Sequence, residues 1–276
     1  MRTLAHLSDL HFGHIDAALL DPLRAKLETI APDLLVISGD LTQRARSAQF
    51  EQARAYLDTL PQPLLVVPGN HDVPLYNVVR RFINPLKNYK AHITDDLSPF
   101  YADDEIAVAG VNTARSFTFK DGRINEEQVA WLRERFGQLD EGMTKIVVTH
   151  HPFDLPDDKD NDDLVWRAEM AMEAFSRCGA DLLLSGHMHV SHAGNTADRY
   201  ALNGYAALSI QAGTATSTRG RGETNSFNAI HVDGSAVELE RYSWDEDAKD
   251  FFVTSRMTFV QQGGSWVEQK TVSAPG

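Results

Sequence analysis

The hydrophobic positions of this chain fall into short apolar runs separated by longer amphipathic stretches. Five of these runs are rich in branched aliphatic side chains and cover residues 3–7, 34–37, 64–67, 146–148 and 182–184. Apolar runs this short are typical of buried parallel strands rather than helices. The amphipathic stretches between them predict helices over residues 17–30, 48–60, 126–137 and 165–178. The order of strand and helix therefore predicts an α/β fold with a largely parallel core.

The pattern changes beyond residue 190. Short segments over residues 205–211, 227–232, 236–242 and 251–260 alternate between apolar and polar positions, which predicts antiparallel strands. Residues 73–104 predict an inserted helical segment beside the third strand. The aspartate-rich stretch within residues 154–165 predicts a solvated loop, and a lid over a pocket is the alternative for both segments. We expect residues 1–276 to form a single domain.

Histidine- and aspartate-bearing clusters follow the apolar runs, each after one intervening residue: Asp9-Leu10-His11, Gly39-Asp40, Gly69-Asn70-His71-Asp72, His150-His151 and Gly186-His187-Met188-His189. The carboxyl ends of parallel strands meet at one edge of a sheet, so we expect these side chains to converge. In an extended backbone, residues i and i+2 point the same way, which predicts that Asp9 with His11, and His187 with His189, each serve one ion. A glycine before Asp40, Asn70 and His187 allows a sharp turn or a close approach of the backbone.

The donor atoms of these clusters are imidazole, carboxylate and amide, with no thiolate. This set suits first-row divalent ions rather than calcium or an iron–sulfur cluster. Seven donors are too many for one four-coordinate structural zinc site. They suit two ions that share a bridging carboxylate and leave positions open for water and substrate.

These five clusters, in this order, resemble the pattern D-x-H, G-D, G-N-H-[DE], H, G-H-x-H of the calcineurin-like binuclear metallophosphoesterases. Residues 7–13, 38–42, 67–72 and 185–189 are most similar to the bacterial class III cyclic-nucleotide phosphodiesterases and to glycerophosphodiesterases. The resemblance covers residues 1–215. It implies a four-layer α/β/β/α sandwich of two mixed sheets flanked by helices, with residues 216–276 as mainly antiparallel strands that complete the second sheet.

The resemblance also implies two divalent metal ions, with Mn, Fe, Zn and Co as the candidates. It divides the donors into two sets that share one carboxylate: Asp9, His11 and His189 for the first ion, Asn70, His150 and His187 for the second, and Asp40 between them. His71 is implied to contact the phosphate and protonate the leaving group, and Asn70 to serve catalysis as well as metal binding. A hydroxide held by the ions would attack phosphorus.

Other histidines need a choice between roles. His150 is the first polar residue after its strand and is the expected metal ligand, which leaves His151 as a substrate contact or a support. His6 lies inside the first strand and is expected in the core. His14 and His192 follow metal-ligand clusters and are expected either to line the pocket or to face solvent.

Four further polar residues are candidate substrate contacts. Arg44 follows Asp40 closely, as does Arg46, but both also precede Ser47, a plausible N-cap for the helix over residues 48–60. A solvated helix entrance explains these arginines equally well. Asn112 and Arg115 follow the apolar run over residues 106–111, which predicts another strand ending at the same edge.

The composition of the chain limits the classes of partner and the location to be expected for the protein. The net charge of −13 disfavours a nucleic-acid polymer, because such binding requires many lysines and arginines to neutralise phosphates. Cys178 is the one cysteine and is expected to be a buried apolar residue at a helix end. No signal peptide and no apolar stretch long enough to cross a bilayer are found, which predicts a cytoplasmic protein without a membrane span. The sequence leaves open whether the chain forms a homo-oligomer.

These observations predict a metal-dependent phosphodiesterase acting on a small phosphodiester, with 3′,5′-cyclic AMP as the first substrate to test. The alternatives are a glycerophosphodiester, a phosphomonoester, or a nucleotide pyrophosphate such as UDP-diacylglucosamine. A lipid-linked substrate needs an apolar pocket, for which only residues 78–86 offer material. A catalytically silent scaffold of the same fold is the alternative from another class, and it is disfavoured because no predicted metal ligand is missing.

Overall fold

The strands of the protein belong to two sheets. The computed structural model describes residues 1–75, 78–115, 121–156, 163–202, 204–218 and 222–269. The described strands are β1 (Arg2–Leu7), β2 (Leu34–Ile37), β3 (Leu64–Val66), β4 (Phe100–Ala102), β5 (Ile106–Gly110), β6 (Thr144–Val148), β7 (Leu182–Ser185), β8 (His192–Asn195), β9 (Leu208–Gln211), β10 (Ser226–Asp233), β11 (Ala236–Asp245), β12 (Asp250–Gln262) and β13 (Ser265–Gln269). All the strands predicted from the apolar runs are present. The short strands β4, β8 and β13 were not predicted.

The helices follow the predicted amphipathic stretches closely. They are α1 (Leu20–Ile30), α2 (Ser47–Leu57), α3 (Val78–Ile83), α4 (Lys87–His92), α5 (Glu126–Gly137) and α6 (Ala168–Cys178). A 3-10 turn at Ala17–Leu19, capped by the Asp16 carboxylate, leads into α1. Helix α5 begins after Asn125, whose side chain accepts a hydrogen bond from the Gln128 amide at 2.9 Å. The predicted helix over residues 165–178 begins three residues later than expected.

Both sheets are mixed. The first has the order β13-β12-β11-β10-β1-β2-β3, and the second has the order β4-β5-β6-β7-β9-β8. Strands β1, β2 and β3 are parallel, as are β5, β6 and β7. The antiparallel C-terminal strands β10 to β13 join β1 and so extend the first sheet, which begins at the N-terminus.

The antiparallel pairing predicted for residues 205–211 occurs on only one side of the strand. Strand β9 pairs parallel to β7 and antiparallel to β8, whereas its alternating sequence had predicted an antiparallel segment. The alternation fixes which side chains face each sheet surface, but the direction of pairing depends on the connection through β8.

The two sheets pack face to face, with helices on both outer surfaces. Alternate residues of β2 show the division: Leu34 and Val36 belong to the apolar cluster between the sheets, whereas Leu35 and Ile37 pack with helices α1 and α2. The outer face of the second sheet packs with α5 and α6. The predicted four-layer α/β/β/α sandwich is confirmed.

The predicted inserted segment at residues 73–104 contains α3, α4 and the short strand β4. The acidic part of the predicted loop, residues 157–162, lies outside the described residues. Along the part of the chain that the structure describes, none of the helices combines the length and the apolar character that crossing a bilayer requires.

Candidate metal centre

All seven predicted metal donors converge where β1, β2 and β3 of the first sheet and β6 and β7 of the second sheet end. Five of the seven are at least nine-tenths buried, and Asn70 and His187 are half-buried. The described residues include four groupings of three histidine or aspartate side chains that could hold a metal ion: Asp9 with His11 and His189, His11 with Asp40 and His71, Asp9 with Asp40 and His150, and His150 with His151 and His187. The expectation that strand ends bring these side chains together is met.

The prediction that extended backbone aligns Asp9 with His11, and His187 with His189, was wrong. These four residues have φ values of 57°, 54°, 73° and 58°, and Asp40 has a φ of 54°. They therefore lie in the left-handed region, which costs a residue other than glycine on the order of 1 kcal/mol. Such backbone persists only where surrounding contacts hold it. The strand alternation ends with the strands, and tight turns aim the donors.

Close backbone approach explains the glycines that precede three of the donors. A Cβ atom on Gly69 would lie 2.1 Å from Asp40 Oδ1, and one on Gly186 would lie 2.8 Å from Asp9 Oδ2. Gly39 has a φ of 98°, and a Cβ there would lie 2.7 Å from His150 Nδ1. Any side chain at these positions would displace a donor, which confirms the predicted reason for glycine.

The first group of donors consists of Asp9, His11 and His189. Nε2 of His11 lies 3.4 Å from Asp9 Oδ1, and Nε2 of His189 lies 3.6 Å from the same oxygen. Donor atoms that share one ion at about 2.1 Å lie roughly 3–3.5 Å apart. The first group therefore has the spacing of ligands around a single ion.

The second group consists of Asn70, His150 and His187. Asn70 Oδ1 lies 3.0 Å from His150 Nε2 and 3.1 Å from His187 Nδ1. Asp40 lies between the two groups, since its Oδ1 is 3.4 Å from His150 Nε2 and its Oδ2 is 3.6 Å from His11 Nε2. One carboxylate oxygen thus faces each group, as a bridging ligand requires.

Electrostatics favour a cation at this position. Asp9 Oδ1 is buried and accepts no hydrogen bond from any residue that the structure describes. Burial alone would raise the pKa of Asp40, but the nearby His150 and His71 hold that pKa well below its usual range. Burial lowers the pKa of His150, and the Asp40 carboxylate more than offsets this and raises it to about 9. Two buried carboxylates among imidazoles need positive charge, which divalent ions would supply.

His71 is held differently from the donors. Its Nδ1 lies 3.0 Å from the Gln43 carbonyl oxygen, and its backbone amide donates to Asp40 Oδ1 at 2.8 Å. Because a carbonyl can only accept, this contact favours the tautomer with the hydrogen on Nδ1. This geometry suits the predicted role of His71 as an acid.

Asp72 ties together the loops that follow β2 and β3. Its carboxylate is buried and accepts hydrogen bonds from the backbone amides of Gly69, Leu41 and Thr42 and from the Thr42 hydroxyl, at 2.9 to 3.1 Å. Burial, followed by the charge of Asp40, raises the pKa of Asp72 to about 6. In the sequence, Asp72 is only the last residue of its cluster, and nothing there indicates that its carboxylate holds two loops together.

His151 lies beside the second group. It is fully buried, its ring centroid is 4.7 Å from that of His187, and its Nδ1 is 2.8 Å from Thr113 Oγ1.

The candidate substrate contacts Asn112 and Arg115 belong to the loop that carries Thr113. Asn112 Oδ1 accepts from the Ala114 amide at 2.9 Å, and Arg115 donates to Gln128 Oε1 at 2.6 Å. These two hydrogen bonds shape the loop. The atoms of Asn112 and Arg115 that form them do not face the metal donors.

The two arginines after Asp40 lie at the entrance to α2. Arg44 is half-buried and donates to the Gln43 carbonyl at 3.4 Å, and Arg46 is exposed. The prediction of Ser47 as the N-cap was wrong. The helix begins at Ser47, Arg46 occupies the cap position, and the Gln49 side chain accepts from the Arg44 amide at 2.9 Å. The side chain of Gln49, in the first turn, thus accepts a hydrogen bond from a backbone amide at the helix entrance.

The remaining histidines separate by burial. His6 is fully buried within β1 and its Nε2 lies 2.9 Å from Ser38 Oγ, so the core assignment is confirmed. His14 is exposed, and His192 lies in β8 with its Nε2 3.9 Å from Asp154 Oδ2. Cys178 is buried at the end of α6, as expected.

Comparison with known proteins places these features in a family. Residues 2–191 match the family model described as calcineurin-like phosphoesterase. The chain is 30% identical over 166 residues to the glycerophosphodiester phosphodiesterase GpdQ of Enterobacter lignolyticus, covering 55% of this chain and 58% of that protein. It is 26% identical over 163 residues to the 3′,5′-cyclic adenosine monophosphate phosphodiesterase CpdA of Escherichia coli, covering 54% of this chain and 55% of that protein. The chain thus spans a little over half the length of these curated relatives.

Solved structures share the fold. A dimetal phosphatase from Danio rerio superposes with a TM-score of 0.66 at 14% identity, covering 93% of this chain and 98% of that one. A purple acid phosphatase from yellow lupin (Lupinus luteus) gives a TM-score of 0.67 at 11% identity, covering 93% of this chain and 53% of that one. The ordered strand-end motifs, the four-layer sandwich and the family match agree. The chain belongs to the calcineurin-like phosphoesterase family.

Proposed function

We propose that this protein is a metal-dependent phosphodiesterase that hydrolyses a small phosphodiester, with 3′,5′-cyclic AMP as the leading candidate substrate. The observation that carries the proposal is the placement of Asp40 between two groups of donors, with one carboxylate oxygen toward each. Two relatives named for phosphodiester substrates, one for cyclic AMP and one for a glycerophosphodiester, support the diester class.

The donors fit two divalent ions in the arrangement that the resemblance implies. The first group, Asp9, His11 and His189, would hold one ion, and the second group, Asn70, His150 and His187, would hold the other. Mn, Fe, Zn and Co all accept this mixture of nitrogen and oxygen ligands. When bound, the two ions would activate water and offset the charge that develops on the phosphoryl oxygens.

The residues around the donors would position the substrate and move one proton. Asn70 directs its Oδ1 to two imidazoles, which leaves its Nδ2 as the group that can donate to a phosphoryl oxygen. His71 is fixed through Nδ1 by the Gln43 carbonyl and would deliver a proton to the departing oxygen. His151 is buried against His187 and would support that ring and limit access of water.

A monoanionic diester fits the charges near this site better than a dianionic monoester. A monoester dianion requires extra fixed cations beside the phosphate. Arg115 is engaged with Gln128 and Arg44 with the Gln43 carbonyl, and burial, followed by Arg123, lowers the pKa of Arg115. A diester, with a single negative charge, can be held mainly by the ions, Asn70 and His71.

A second candidate is a lipid-linked nucleotide pyrophosphate. The chain is 34% identical over 76 residues to the UDP-2,3-diacylglucosamine pyrophosphatase LpxG of Chlamydia trachomatis. Helix α3 offers apolar surface, since Phe82 is 47% exposed and Ile83 is 79% exposed. This candidate predicts that a lipid-bearing pyrophosphate is cleaved faster than any small diester.

The decisive experiment is a substrate panel with the metal-reconstituted full chain. The panel contains 3′,5′-cyclic AMP, bis(p-nitrophenyl) phosphate, a glycerophosphodiester and the matched phosphomonoesters, with Asp40→Ala as the control for contaminating hydrolases. We expect a higher kcat/KM for diesters than for matched monoesters at neutral to mildly alkaline pH. A monoester that exceeds every diester would refute the diesterase assignment. No turnover by a protein that binds two ions would favour the scaffold alternative.

We also propose that the protein is cytoplasmic, and whether it forms a homo-oligomer is a separate question for experiment. A small intracellular diester and a single buried thiol, Cys178, are both compatible with a reducing compartment. Fractionation of cells that express the protein, together with light scattering of the purified chain, tests both points.

A further inference from the structure

Residues 212–218, which we call the strap, run along the loop that carries Asp9 and His11. The Ala215 amide donates to the Ser8 carbonyl at 3.0 Å, and the Thr216 hydroxyl donates to the Leu10 carbonyl at 2.8 Å. These two acceptors flank Asp9. The strap therefore supports a loop in which Asp9 and His11 both have left-handed backbone.

Thr214 connects the strap directly to the first group. Its Oγ1 lies 2.6 Å from Nδ1 of His189, while Nε2 of the same ring lies 3.6 Å from Asp9 Oδ1. Thr214 is itself anchored, because it is buried and its carbonyl accepts from the Ser226 amide at 2.9 Å. A hydroxyl bound to one nitrogen fixes the rotation of the ring and turns the other nitrogen toward Asp9.

Two other rings in the centre are oriented by backbone carbonyls. Nδ1 of His150 faces the Ser38 carbonyl at 2.8 Å, and Nδ1 of His71 faces the Gln43 carbonyl at 3.0 Å. His189 instead uses a side chain, so substitution can remove its orienting partner without changing the backbone. The partner also lies outside residues 2–191, the part of the chain that the family model matches.

We propose that the strap completes the first metal site and that Thr214 is the positioning residue that orients His189. The inference rests on the proposed function, since it requires that the first group hold an ion. It assigns a role in metal binding to a segment in which the sequence shows no metal-ligand motif. Thr214 acts through His189 and not on the substrate.

The test measures binding of Mn²⁺ alone to the metal-free full chain, with free Mn²⁺ followed by its electron paramagnetic resonance signal. Thr214→Val removes the hydroxyl at nearly constant volume, and Thr214→Ser retains it. We expect Thr214→Val to weaken one of the two Mn²⁺ equivalents by about 10- to 100-fold, the usual effect of losing an orienting hydrogen bond to a ligand. Thr214→Ser should bind both equivalents within about threefold of the unmodified chain.

Thr218→Val is the matched control, because Thr218 is exposed at the end of the strap and its hydroxyl donates to the His14 carbonyl at 3.4 Å, away from the metal donors. It should bind Mn²⁺ normally. Normal binding by Thr214→Val would overturn the inference, as would equal damage in Thr214→Ser, which would mean that shape rather than the hydroxyl matters. If Thr214→Val does not fold, the outcome for Thr216→Val decides whether the strap supports the site. If the unmodified chain does not bind two ions, both this inference and the proposed function are overturned.

Discussion

The two groups of donors differ in how the chain prepares them. In the second group, Asn70 Oδ1 already contacts both His150 and His187 at hydrogen-bonding distance. In the first group, Asp9 Oδ1 faces two imidazoles at 3.4 and 3.6 Å and accepts no hydrogen bond from the described residues. The second group is thus held together by its own contacts at hydrogen-bonding distance, whereas the first group leaves room at Asp9 Oδ1 for a cation.

This difference extends to the supporting residues. Backbone carbonyls and the Asp72 carboxylate hold the loops of Asp40, Asn70 and His150. The amides of Asp9 and His11 donate to the carbonyls of Gly39 and Asp40, and their loop is also held by the strap, more than 190 positions away in sequence. The comparison teaches that motif-bearing loops support one half of the centre, whereas the other half also uses a segment that carries no metal-ligand motif.

The largest effect is expected at Asp40, where the two halves meet. Asp40→Ala removes a carboxylate that faces both groups, so both ions should be lost and turnover should fall to background. Elemental analysis after mild reconstitution measures this, with Asp40→Asn as the variant that keeps the shape and removes the charge. Retention of two equivalents of metal by Asp40→Ala would contradict a bridging role.

His71 belongs to neither half and should separate catalysis from metal binding. His71→Ala should leave metal content nearly unchanged and lower kcat by about 10²–10⁴, because it removes an acid that acts only on the substrate. His92→Ala is a suitable control, since His92 stacks on Phe50 and contacts Ser47 at the helix entrance. Loss of an ion from His71→Ala would make His71 a ligand instead.

Asp72 tests the support of the second half. Asp72→Ala leaves buried amides at Gly69, Leu41 and Thr42 without an acceptor, so we expect a loss of about 2–4 kcal/mol in the free energy of unfolding. Urea denaturation measures the change. Glu28→Ala, at an exposed ion pair on α1, should change stability by less than about 0.5 kcal/mol. A loss for Asp72→Ala as small as that control would show that the carboxylate does not hold the two loops together.

The smallest effect is expected outside both halves. Arg44→Ala and Arg46→Ala should each change kcat/KM for a diester by no more than about threefold, because the Arg44 side chain donates to the Gln43 carbonyl and Arg46 is exposed. Steady-state kinetics with bis(p-nitrophenyl) phosphate measures this. A fall of a hundredfold in either variant would identify a substrate-binding arginine and extend the site beyond the two groups.

Much of the fold was predictable because its patterns are local. Residues 34–37 and 126–137 were predicted with their observed bounds, since a short aliphatic run and a capped amphipathic stretch are unambiguous. Strands β4, β8 and β13 were missed because they are short and take their pairing from distant partners. Ser47 was misassigned because the Gln49 side chain competes for the same helix entrance.

The sequence by itself determined which donor atoms the centre contains, since residues such as Asp9 and His189 follow strand ends in a fixed order. The tertiary structure decided how those atoms face one another. Left-handed turns, rather than strand alternation, aim Asp9 and His11. Those turns are held by hydrogen bonds such as that from Thr216 to Leu10, which joins residues 206 positions apart. Because a strained backbone conformation is stabilised by contacts remote in sequence, no local pattern in the sequence could reveal it.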